Sequence, residues 1–162
     1  VMSNLGFELY LKKSGIDLIR TQVGDRYVVE EMIKGGYNLG GEQSGHIIYL
    51  DYNTTGDGAI CALQVLAVMI KTGKPLSELA SQVPIYPQVL INVTVPKAKK
   101  IEKFPNVLKA VEAAEKKLKG GRILVRPSGT GPKIRVMVEG DDMKKIRKIA
   151  EEVAEVIKTE MG

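Results

Sequence analysis

Val89, Ile91, Val93 and Val95 alternate with Leu90, Asn92 and Thr94, a period of two that fits a β-strand with one face turned to a core. The elements that follow have to build that core. A helix is predicted from Asn106 to Lys119, stopped by Gly120-Gly121, and Arg122–Arg126 and Lys133–Val138 read as a strand pair around a Gly/Pro loop. The last helix, about 141–160, carries Ile146, Ile149, Val153 and Val156 on one stripe, with Asp141 or Asp142 as its cap. These elements predict a small α+β domain with an antiparallel sheet.

The first half has a different rhythm. Asn4 can cap a helix running to about Ser14, and 16–23 reads as a strand. Asp25 can cap a second helix that ends at Gly35-Gly36. A strand pair, 38–41 and 46–51, flanks the loop Glu42-Gln43-Ser44-Gly45. A helix over 59–71 follows, apolar on nearly every side and read as buried, and a shorter helix is predicted at 76–81. Strand–helix alternation of this kind implies a layered α/β unit. The prolines of Val83-Pro84-Ile85-Tyr86-Pro87 break any regular element, which divides the 162 residues into domains 1–83 and 84–162.

Composition narrows the class. No tract approaches the roughly 18 apolar residues of a membrane span, and Val1-Met2-Ser3-Asn4 does not open a signal peptide. The abrupt apolar start has the look of a fragment. The single cysteine, Cys61, cannot pair within the chain and is expected to be a buried, reduced thiol of a cytoplasmic protein. A net charge of +5 favours anionic partners. Lys97, Lys99, Lys100 and Lys103, with Lys116, Lys117 and Lys119, read as solvated faces. Nucleic acid is disfavoured as a partner, since the chain has no tryptophan, two phenylalanines and no aromatic residue interleaved with a basic patch.

The loop Arg126-Pro127-Ser128-Gly129-Thr130-Gly131-Pro132-Lys133-Ile134-Arg135 concentrates what a phosphate needs. Ser128 and Thr130 bring hydroxyls, and Gly129 and Gly131 permit backbone amides to turn inward. Arg126 and Arg135 can form bidentate bonds, and Lys133 adds a point charge. The same residue types also make an ordinary polar hairpin turn, so spacing alone leaves both readings open. The run Arg-Pro-Ser-Gly-Thr-x-Pro-Lys-Ile-Arg-Val resembles the phosphate-binding loop in the fourth domain of the phosphohexomutase superfamily. The resemblance implies that Arg126, Ser128, Gly129, Thr130 and Arg135 hold the substrate's non-reacting phosphate, and Lys133 joins the candidates by its charge. Gly131 departs from the pattern, which usually has Glu there, so a negative charge is lost and the loop is loosened.

Gly41-Glu42-Gln43-Ser44-Gly45-His46 resembles the sugar-recognition motif of the superfamily's third domain. A carboxylate on a tight turn can accept hydrogen bonds from two neighbouring hydroxyls, with a serine to donate or accept beside it. By resemblance, Glu42 and Ser44 contact sugar hydroxyls. His46, the only histidine, is either a proton-transfer group or a structural residue at a strand start. Val23-Gly24-Asp25-Arg26-Tyr27 matches a loop bordering the family's active cleft, so Asp25 and Arg26 are further candidates for substrate contact. Asp25 as a helix cap, with Arg26 paired to a carboxylate, is the alternative.

The resemblance covers essentially the whole chain. It implies an incomplete three-layer α/β domain followed by the small α+β domain, without the opening helix and first full strand of the former. Val1–Gly6 and Thr54–Gly58 look most like the amino-sugar branch; mannose and glucose phosphates are the alternative substrates. The family works through a phosphoserine and a bisphosphorylated sugar intermediate, with Mg2+ at an Asp-rich site. Neither the Ser-His-Asn loop nor that metal site is present, and Asp57 alone is no metal cluster. The chain by itself is therefore expected to bind no metal, to bind sugar phosphate weakly and not to turn over. Its expected partners are the missing N-terminal domains and, as an option, a second copy in a homodimer. A stand-alone sugar-phosphate-binding module is the alternative of another class.

Overall fold

The computed structural model describes residues 1–96, 101–129 and 131–162. The expectations for Lys97, Lys99, Lys100 and Thr130 fall outside them. The chain divides into two compact units, Val1–Pro84 and Ile85–Gly162.

In the first unit, the Asn4 side chain accepts the Gly6 amide at 2.9 Å and starts α1 (Leu5–Lys13). α2 (Asp25–Gly35) ends where Gly36 enters the left-handed region. The short strands β1 (Leu39–Gly41) and β2 (Ile47–Tyr49) pair antiparallel, with Gly40 opposite Ile48. Val28 and Met32 of α2 bury Ile48 of β2, so this helix and the hairpin share one small core. Asp57 caps α3 (Gly58–Thr72) by accepting the Ala59 and Ile60 amides, and α4 (Leu76–Ser81) follows.

Three expectations are corrected here. Residues 16–23 form no strand, because no ladder partner reaches them among the described residues; Ile16 and Ile19 are exposed. The cap of α2 is Gly24, not Asp25, whose carboxylate instead accepts the Arg26 amide at 2.8 Å. Finally, α3 has no buried residue, and Cys61 is half-buried rather than enclosed. Two three-residue strands are too small to cover a helix that is apolar on most sides.

The second unit is built as the alternation requires. β3 (Gln88–Thr94), β4 (Arg122–Pro127) and β5 (Lys133–Glu139) form an antiparallel sheet with β5 in the middle. Val89, Val93, Ile134, Val136 and Val138 join the side chains of α5 (Pro105–Lys117) and α6 (Met143–Met161) in one core. Asp142 caps α6, accepting the Lys144 and Lys145 amides. On the other face of the sheet, period two lines up cross-strand rows. One is Gln88, Glu139 and Arg122; another is Asn92, Arg135 and Arg126. In the first row Glu139 is wholly buried and accepts Gln88 Nε2 at 2.8 Å and Arg122 Nε at 2.5 Å. This satisfied carboxylate lies at the far end of the β4–β5 ladder from the loop 128–132.

Candidate functional site

Each unit carries one polar loop with convergent chemistry. In the first unit, the β1–β2 connection turns over Glu42–Gly45. The Gly45 amide donates to the Glu42 carbonyl at 3.0 Å, and the Glu42 amide to the His46 carbonyl at 2.8 Å. Gly45 sits at φ 99°, a torsion that a side chain resists. The turn presents Glu42, Ser44 and His46 together. Ser44 Oγ lies 3.4 Å from Glu42 Oε2 and 3.0 Å from His46 Nδ1. The other carboxylate oxygen, Oε1, accepts the Gly24 amide at 2.6 Å. Glu42 thus ties this loop to the amino-terminal end of α2. The backbone of Gly56 flanks the His46 ring, and the Asp57 amide donates to the Ile47 carbonyl at 3.3 Å. Gly56 and Asp57 therefore lie against the end of the turn.

Asp25 and Arg26 do not join this cluster. The Arg26 guanidinium pairs with Glu30 one turn along α2 at 2.7 Å, an exposed i,i+4 ion pair, and Glu30 raises the Arg26 pKa by hydrogen bond and charge. Asp25 is engaged with its own helix start. The Arg26 pairing is the structural alternative that the sequence left open, whereas the helix cap expected of Asp25 falls to Gly24.

In the second unit, the loop after β4 closes as a hairpin. The Ser128 amide donates to the Lys133 carbonyl, and the Lys133 amide to the Gly131 carbonyl, each at 2.8 Å. At the mouth of this hairpin Arg126 and Arg135 are direct cross-strand partners. Burial holds the Arg126 guanidinium below its ordinary pKa, and the Arg135 charge adds to the shift. Ser128 is buried, whereas Gly129 and Lys133 are exposed. Two guanidiniums brought together beside exposed backbone form a place where an oxyanion relieves repulsion. Gly131 sits at φ 156° with nothing within 4 Å of where a Cβ would stand.

Among the described residues no group of three or more His, Cys, Asp or Glu side chains is placed to hold a metal. Those residues therefore offer no donor set that fits Mg2+. Nor is any helix, among those residues, long and apolar enough to cross a membrane. Sequence reasoning missed the Gly24 amide as the partner of Glu42, although Gly24-Asp25 ahead of a helix was its local signal. It also missed Asn92, which the register places beside Arg135.

A family model described as Phosphoglucomutase/phosphomannomutase, alpha/beta/alpha domain III, matches residues 1–86. The corresponding C-terminal domain model matches residues 90–156. The phosphoglucosamine mutase of Caldanaerobacter subterraneus subsp. tengcongensis is 58% identical over 166 residues, and that of Syntrophotalea carbinolica is 55% identical over 163. Both alignments take in 100% of this chain but 37% and 36% of those proteins, so the chain spans little more than a third of these curated relatives. Among solved structures, Aspergillus fumigatus N-acetylphosphoglucosamine mutase superposes with a TM-score of 0.85. That match is 18% identical and covers 99% of this chain and 38% of the other. An N-acetylglucosamine-phosphate mutase solved in a substrate complex gives 0.73 at 21% identity, over 92% and 36% of the two chains. At such identities the structural likeness speaks for the fold alone.

Proposed function

This chain belongs to the phosphoglucomutase/phosphomannomutase family, and from that premise we propose that it is the sugar- and phosphate-recognising portion of a phosphoglucosamine mutase. The reaction proposed for the whole protein interconverts glucosamine 6-phosphate and glucosamine 1-phosphate. A phosphoserine outside this chain gives its phosphoryl group to one sugar oxygen, and the serine is rephosphorylated from the other oxygen of the bisphosphorylated intermediate. Mg2+, also held outside this chain, would offset the charge of the transferring group. Cytoplasmic residence and partnership with N-terminal domains belong to the same proposal, with a homodimer as an option.

The work assigned to this chain is binding and orientation. Residues 1–83 would recognise the sugar through Glu42 and Ser44, with His46 positioned to exchange a proton with the reacting hydroxyl. Residues 84–162 would grip the non-reacting phosphate through Arg126, Ser128, Gly129, Lys133 and Arg135, with Thr130 as a further candidate. Asp25 and Arg26 would act at most indirectly, since their partners lie within α2. The observation that carries the reading is the facing pair Arg126–Arg135, a like-charge contact that an anion turns from a cost into a binding surface. Identity to curated phosphoglucosamine mutases over the full chain favours the amino sugar over mannose or glucose phosphates.

Amide shifts during titration with glucosamine 6-phosphate provide the test, with glucose 6-phosphate and inorganic phosphate as controls. Shifts at both 42–46 and 126–135, larger for the amino sugar, are expected. Shifts at 126–135 alone, equal for all three ligands, would sink the sugar-specific reading. Tight binding without the remaining domains would favour a stand-alone sugar-phosphate module.

A further inference from the structure

Ser44 has one hydroxyl proton and two close polar neighbours, Glu42 Oε2 at 3.4 Å and His46 Nδ1 at 3.0 Å. A carboxylate oxygen can only accept. If Ser44 gave its proton to Nδ1, its lone pairs would face a negatively charged oxygen with no hydrogen between them. If Ser44 instead donates to Glu42, both contacts become hydrogen bonds, provided that Nδ1 carries the ring proton and donates to Ser44 Oγ. Glu42 cannot readily turn away, because its Oε1 is held by the Gly24 amide at 2.6 Å. Gly24 thus fixes which carboxylate oxygen faces Ser44, and Ser44 in turn fixes the tautomer of His46.

We propose that Gly24, Glu42, Ser44 and His46 form a hydrogen-bond relay that keeps the neutral His46 ring protonated on Nδ1 and presents Nε2 as a proton acceptor. Ser44 is a positioning residue in this relay, acting through His46, in addition to any contact it makes with sugar. The relay's use, taking a proton from a sugar hydroxyl as that oxygen becomes phosphorylated, rests on the function proposed above. The tautomer itself does not.

The chain has a single histidine, so long-range proton–nitrogen spectra of the histidine-labelled 162-residue chain report this ring alone. They would be recorded without ligand, well above the ordinary histidine pKa of about 6.5. The neutral ring is expected to show protonated Nδ1 and unprotonated Nε2. Ser44→Ala should move the proton toward Nε2, and Ser44→Thr should restore the original pattern. Glu42→Gln gives an opposite and sharper signature. Its carbonyl would keep the Gly24 bond while its NH2 donates to Ser44, which then donates to Nδ1 and leaves the ring proton on Nε2. An unligated wild-type ring protonated mainly on Nε2 would overturn the relay, as would a pattern that neither Ser44→Ala nor Glu42→Gln changes. If Ser44→Ala fails to fold, the near-isosteric Glu42→Gln decides. Absence of sugar binding with the expected tautomers would count against the proposed function and leave the relay standing.

Discussion

Arg126 and Arg135 stand directly opposite each other on adjacent antiparallel strands, at the end of the ladder where the loop 128–132 begins. Like charges so placed cost a sheet free energy, and an added anion reduces that cost. Arg126→Ala should therefore weaken binding of inorganic or sugar phosphate about 10- to 100-fold, the range for losing a charge-assisted hydrogen bond. The ligand-free melting temperature should stay level or rise. Calorimetric titration and thermal melts on the same samples check both halves.

Glu42 holds Gly24 across 18 residues of sequence. Glu42→Ala should free that amide, raising its hydrogen-exchange rate and shifting the resonances of Gly24 to Tyr27, while 88–139 stay unmoved. Glu42→Gln keeps an acceptor and should leave the Gly24 amide protected. Equal effects of the two substitutions would mean that the contact does not order the loop.

Gly131 stands at a torsion unfavourable to side chains, φ 156°, in otherwise open space. Gly131→Glu should be free of steric clash but force the loop backbone to a new torsion, at a cost of about 1–3 kcal/mol in stability. Phosphate affinity should change as well. Urea melts and phosphate titration of the variant give the two numbers, and an unchanged melt would show that the loop adapts freely.

Asp57 is held below the ordinary carboxylate range chiefly by the Ile60 amide, with further help from the Asn53 side chain and the Ala59 amide. A depressed folded-state pKa contributes stability that is fully present above the unfolded value of about 3.8. It is lost as pH falls through the lower folded value. The Ala59 and Ile60 amide shifts should therefore hold steady down to about pH 4 and move below it. Asp57→Asn, still a capping residue, should abolish that pH dependence without unwinding the helix at neutral pH.

Glu139 is completely buried and bonded to Arg122 and Gln88. Glu139→Ala leaves a largely enclosed guanidinium without this carboxylate and should destabilise the second unit by about 3–5 kcal/mol in urea unfolding. Glu139→Gln should cost less, since it still accepts one hydrogen bond.

Much of the second unit was legible in advance because its signals are local. Alternation over Val89–Val95, glycines after the α5 segment and the Asp142 cap each act within a few residues, and the observed elements fall where those signals lie. The first unit was less legible. Apolar residues over 16–23 satisfy a strand pattern, but a strand also needs a neighbour to complete its hydrogen bonds. Likewise the composition of α3 reads as buried, yet burial depends on how much other structure packs against the helix.

By itself, then, the sequence determined the side-chain caps at Asn4 and Asp142, the period of the sheet and the residue types of both polar loops. Those depend on backbone torsions and on chemistry carried by neighbouring positions. Only the tertiary structure decided that Glu42 grips Gly24, that Arg26 turns to Glu30 and that Arg126 faces Arg135. Side-chain partners depend on distances in space, and the same carboxylate or guanidinium is chemically ready for several of them until packing and strand register bring one within reach.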